Sequence, residues 1–93
     1  MNLFTIRVVL HNNATAQDYK RLKEELKLIG IKDEITGGGN TYRLSPGEYS
    51  CHSNYSSTQL RDFIANKLKN IFASVSVTVT EAKEVAWVGL SLI

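Results

Sequence analysis

A chain of 93 residues is long enough for one domain, expected to span 1–93, and too short for an added catalytic lobe, so any site must lie on its surface or in a shallow groove. A net charge of +2 with 22% charged residues permits nucleic-acid binding without arguing for it. The lone Cys51 excludes an internal disulfide, and no window approaches the roughly 18 apolar residues of a membrane span, so the expected setting is cytoplasmic, without membrane insertion.

Phe4, Ile6, Val8 and Leu10 alternate with Thr5, Arg7, Val9 and His11, the period of a strand with one apolar face. Arg7 and His11 share the opposite face, and Asn12 and Asn13 end the run. Thr15 and Asp18 make a capping box with Asp in place of the usual Glu or Gln. The helix that follows carries Ala16, Tyr19, Leu22, Leu26 and Ile29 at spacings of three and four, and Gly30 is its left-handed terminator.

The block at 35–49, ITGGGNTYRLSPGEY, predicts a hairpin. Residues 32–36 form a short polar strand and 41–44 its partner, with the glycines and Asn40 as the turn and Ser45-Pro46-Gly47 as the break. Residues 48–52 either extend the sheet or run as an ordered loop. Ser56 and Gln59 are a second capping box, opening a helix with Leu60, Phe63, Ile64, Leu68 and Ile71 as its core stripe. Val75, Val77 and Val79 alternate with Ser and Thr, the clearest strand of the chain, and 85–90, with Trp87, is expected to add an edge strand.

Strand, helix, strand, strand, helix, strand is the α+β, ferredoxin-like βαββαβ order, with two helices on one face of an antiparallel sheet and the other face open. Phe4, Ile6, Val8, Leu22, Leu26, Phe63, Ile64, Leu68, Val75, Val77 and Val79 are the expected core. Val9, apolar on a polar strand face, and the edge at 85–90 point to a homodimer.

The chemistry-bearing residues are few. The glycine triplet lies between two strands and precedes no helix opening with Lys-Ser or Lys-Thr, so a hairpin turn accounts for it better than a phosphate loop. Cys51 and His52 are neighbours pointing to opposite faces, and no CxxC, HxH or HExxH spacing occurs, so neither a metal nor a cofactor is expected. Glu24-Glu25 and Asp33-Glu34 sit among lysines and read as solvated charge. Lys20, Lys23 and Lys27 along one side of the first helix are candidate phosphate contacts, with Lys67 and Lys69 as additions, and Tyr42 is a candidate base-stacking residue.

The motifs IRVVLH at 6–11, ATAQDY at 14–19, the block at 35–49, VTVTEA at 77–82 and W-x-G-L at 87–90 resemble, over nearly the whole chain, a family of small bacterial proteins related to the GhoS antitoxin. The resemblance implies a ferredoxin-like fold similar to that of Cas2-like ribonucleases, RNA as the partner, and endoribonuclease activity of the antitoxin kind. Metal-dependent nucleases of that fold are expected to hold an aspartate near the end of the first strand, where this chain reads Leu10-His11-Asn12-Asn13. Cleavage would then follow a metal-independent route, in which a general base removes the 2′-OH proton and a cation stabilises the phosphorane. Arg7, His11 and Arg43 are the candidates for those roles, with His52 also available. The alternative is a non-catalytic interaction or dimerisation module.

Overall fold

The computed structural model describes residues 1–93. The first apolar alternation becomes β1 (Asn2–Leu10), with Phe4, Ile6, Val8 and Leu10 buried and Arg7 exposed. α1 (Ala16–Lys27) opens on the expected box: the Asp18 N–H donates to the Thr15 hydroxyl at 3.2 Å, and the Thr15 N–H donates to the Asp18 carboxylate at 2.8 Å. Its other end closes with the Ile31 N–H donating to the Leu26 carbonyl and the Gly30 N–H to that of Lys27, at 3.0 and 3.1 Å, a Schellman pattern with Gly30 at φ 82°.

β2 (Glu34–Gly37) and β3 (Asn40–Arg43) are the predicted hairpin. Gly37 pairs with Asn40, so Gly38 and Gly39 alone make the turn, at φ 60° and 82°. Positive φ at both central positions is the type I′ geometry that matches strand twist. β4 (Glu48–Ser53) follows, then α2 (Ser57–Leu68) behind its Ser56/Gln59 box, then β5 (Val75–Ala82).

The central antiparallel sheet has the order β4-β1-β5. The alternative left open for 48–52 is thus settled as a strand, and its register gives the reason. Tyr49 lies opposite Ile6 and Cys51 opposite Phe4, so both side chains land on the apolar face of the sheet. The hairpin strands pair with each other and not with β1, forming a ladder of their own. That ladder is tied to β4 by reciprocal backbone bonds between Lys32 and Ser50, 3.2 and 2.8 Å, and by the Ser50 hydroxyl donating to the Glu34 carbonyl. The whole is an α+β fold compatible with a ferredoxin-like βαββαβ arrangement, with the β2-β3 hairpin as a small second sheet.

Both helices cover one face, where eleven buried residues from β1, α1, β4 and α2, with Ile31, make a continuous core. Phe63 departs from expectation, since it remains 42% exposed. Leu60, Ile64 and Leu68, at intervals of four, carry the buried stripe, which leaves Phe63 at its margin, edge-on to Tyr55 with centroids 5.9 Å apart.

Residues 85–90 also differ from expectation: they form no strand. Pairing comes later, where the Arg43 N–H donates to the Ser91 carbonyl and the Ile93 N–H to the Thr41 carbonyl, both at 2.9 Å, around a Tyr42–Leu92 bridge. Between the end of β5 and these points the tail runs across the second face of the sheet, with Trp87 against Gly37. A Cβ at Gly37 would lie 2.6 Å from the indole, so only glycine lets the ring settle there. Trp87 is the largest apolar side chain of this segment, and its burial on the hairpin wins over extension of the segment as a strand.

Candidate functional site

Because side chains alternate along a strand, the residues left over from the core share the second face of the central sheet. Two rungs of it matter. Glu48, Arg7 and Thr78 lie side by side across β4, β1 and β5, and Ser50, Thr5 and Thr80 form the next rung. Above them pass the hairpin and the C-terminal tail, and the space between is a cleft of about 520 Å³. Its floor is Thr5, Arg7, Glu48, Thr78 and Thr80, and its walls are apolar, with Ile35, Leu44, Val85, Trp87 and Leu90 prominent. Trp87 meets Tyr42 edge-on, with centroids 5.4 Å apart. A polar floor under apolar walls is the usual make-up of a ligand cleft, and the volume falls within the roughly 300–1,000 Å³ of such sites.

The second feature is basic. Lys23, Lys27, Lys32 and Arg43 line a small hollow with Asp33 and Glu34, and Lys20 joins Lys23 and Arg43 in the adjoining one. Asp33 sits at the centre, with its carboxylate 2.7 Å from Arg43 and 3.4 Å from Lys23. The side chain of Asp33 is 16% exposed against 45% for Lys23 and 40% for Arg43, so the anion is held inside and the cations face outward. Lys20, Lys27 and Lys32 have no carboxylate within ion-pair distance. Helix α1 supplies three of the five cations because Lys20, Lys23 and Lys27 recur at spacings of three and four.

The residues that the sequence points to are spread over several places. Arg7 lines the cleft, and Arg43 belongs to the basic ridge with Lys20, Lys23 and Lys27. His11 lies at the far end of β1 in a third hollow, its Nε2 2.7 Å from the Ser76 hydroxyl. The turn after it holds Asn12 and Asn13 at φ 62° and 60°, a left-handed conformation that asparagine tolerates better than most residues. Tyr42 is half-buried with its ring engaged by Trp87, and Lys67 pairs with Glu25 of α1 at 3.4 Å. The ridge residues are therefore brought together, whereas Arg7, His11 and Arg43 line separate hollows.

Two groups have displaced titrations. Burial, with lesser contributions from the charges of Asp33 and Tyr19, pushes the Tyr49 phenol up to about 12. Burial alone raises the Cys51 thiol, whose side chain packs against the core while the adjacent His52 stays exposed. No group of three His, Cys, Asp or Glu stands close enough to hold a metal ion. No helix is long and apolar enough to cross a membrane.

Glu48, Thr5, Thr78 and Thr80 do not stand out as a site in the sequence. The alternation of β5 sets Thr78 and Thr80 on one face, but only the register puts them beside Arg7, and only the path of the tail brings Trp87 over them. No protein-family model and no characterised protein matches the chain.

Proposed function

We propose that this is a small cytoplasmic RNA-binding protein of the kind that resemblance to the GhoS antitoxin family implies, holding the backbone of single-stranded or looped RNA along the ridge of α1, Lys32 and β3. The observation that carries this reading is the gathering of five cations around two carboxylates, with three of the cations free of any ion pair. Such a surface attracts phosphates and releases their counterions, so binding should weaken as salt rises. The test is anisotropy of a labelled single-stranded RNA at several salt concentrations. Lys20→Gln with Lys27→Gln should lower affinity and flatten the salt slope by about 0.7 for each phosphate that is no longer neutralised. Asp33→Asn, which frees Lys23 and Arg43, should tighten binding. Affinity indifferent to salt and to both changes would contradict the reading.

Cleavage has less support than binding, because Arg7, His11 and Arg43 do not converge on one phosphate: Arg7 lies on β1 and His11 just past its end, four residues on and roughly 13 Å away. An endoribonuclease of this design would cleave in EDTA and lose activity in Arg7→Ala or His11→Ala. RNA left intact in both magnesium and EDTA is the outcome expected of a binding protein.

The homodimer belongs to the same proposal. β5 is an edge strand of eight residues with no proline and a single charge, Glu81, so it lacks the devices that block pairing with another chain. Sedimentation at micromolar concentration should report twice the chain mass, and a monomer there would count against it.

A further inference from the structure

We infer that the cleft under the C-terminal tail is a pocket for one unpaired base, built to select guanine; the inference rests on the RNA-binding reading above and names what that RNA would offer. Arg7 and Glu48 are cross-strand partners in the ladder between β1 and β4, and both line the cleft. Opposite charges placed so would ordinarily pair with each other. Here they do not: the ion pairs of the molecule are Lys23–Asp33, Arg43–Asp33, Arg61–Asp62 and Lys67–Glu25. Neither side chain takes part in a hydrogen bond within the protein, although both Arg43 and Arg61 do. A guanidinium and a carboxylate thus stand adjacent, unengaged, on the floor of a cleft with apolar walls.

Together they present a row of acceptors followed by donors. A carboxylate has two acceptor oxygens and, ionised, no donor, while a guanidinium has only donors. Guanine is the base whose edge matches that row, with N1–H and N2–H₂ as neighbouring donors and the O6 acceptor beside them. Adenine and cytosine each set one donor group next to an acceptor, and uracil flanks its one donor with two acceptors. Each of those offers the carboxylate a single donor group on that edge, so only guanine engages both oxygens. A base caught in this way would lie against the apolar wall that includes Trp87, and the hydroxyls of Thr5, Thr78 and Thr80, able to donate or accept, would remain for the ribose.

Trp87 is the only tryptophan, so its emission reports on the cleft of the full chain without a label. Titration with GMP, AMP, CMP and UMP should show GMP acting at a concentration on the order of tenfold or more below the others, the discrimination of one bidentate base contact. Glu48→Gln, which replaces one acceptor with a donor, and Arg7→Gln should each abolish the preference with the circular dichroism spectrum unchanged. In the RNA arm, an oligouridylate with one central guanosine should bind on the order of tenfold more tightly than the plain oligouridylate, and Glu48→Gln should erase that gap only. Plain oligouridylate binding with no preference for guanine in either arm overturns this inference and leaves the RNA-binding reading standing. A GMP preference lost in both variants, with no binding of any RNA, upholds the guanine site and overturns that reading, the ligand then being a free guanine nucleotide.

Discussion

On the helix side of the central sheet, Phe4, Ile6 and Val8 are at most 2% exposed and interlock with Leu22, Leu26, Ile64 and Leu68. On the other side, one residue away along the same strand, Thr5 and Arg7 look into a cleft wide enough for a ligand. The difference lies in what covers each face. Two capped amphipathic helices supply rows of apolar side chains at the spacing of the sheet and leave no space. The hairpin and the tail supply one indole and a few aliphatic side chains held at the edge, and the middle stays hollow. A ferredoxin-like sheet can therefore place its stability on one face and keep charge and hydroxyl groups on the other, where burial would cost them their hydration.

The largest effect should follow damage to the filled face. Ile64→Ala removes a side chain with no exposed surface and should lower stability by about 2–5 kcal/mol in urea unfolding. A loss under about 1 kcal/mol would mean that the helix side is not the main store of stability.

A smaller loss, about 1–3 kcal/mol, is expected of Gly37→Ala, because the added methyl group would meet the Trp87 indole at 2.6 Å and push it off the hairpin. The tail can give way where the core cannot, so the clearer sign should be a red-shifted Trp87 emission as the ring enters water. Unchanged emission would show that the tail is not held by this contact.

The smallest effect concerns pH. Tyr49 titrates at about 12 in the folded chain against an ordinary 10.0, so its neutral form favours folding fully below pH 10, and this contribution fades as pH rises toward 12. Cys51, also raised by burial, acts in the same direction from its ordinary 9.0 upward. The urea midpoint should therefore fall as pH climbs through this alkaline window, and less steeply in Tyr49→Phe. An identical decline in that variant would remove Tyr49 as a cause.

Much of this architecture is written in local pattern. Both capping boxes and the strand alternations are read within a few residues and appear as expected, whereas the glycine turn narrows to Gly38-Gly39 and the α1 stripe is buried at Leu22 and Leu26 but exposed at Ala16. Phe63 misleads because a helical stripe has margins, and apolar character alone does not say which residue lies there. The strand at β4 becomes legible only through its register against β1, and the tail only through Gly37, fifty positions before Trp87, since a missing side chain gives no signal of what will occupy its place. The basic ridge is half visible. The helix period aligns Lys20, Lys23 and Lys27, but the hairpin has to fold back before Lys32 and Arg43 join them around Asp33. The cleft is hidden altogether, because its floor draws on three strands whose order the sequence does not spell out.

The division between the two faces is tested most directly on adjacent residues of β1. Ile6 is 2% exposed and points to the helices, while Arg7 is exposed and points to the cleft. Urea unfolding and nucleotide titration should be run on both Ile6→Ala and Arg7→Ala. Ile6→Ala should lose about 2–5 kcal/mol of stability and keep its preference for GMP while folded. Arg7→Ala should stay within about 0.5 kcal/mol of the parent and lose that preference. Comparable stability losses in the two variants, or a GMP preference that survives Arg7→Ala, would contradict the assignment of stability to one face and recognition to the other.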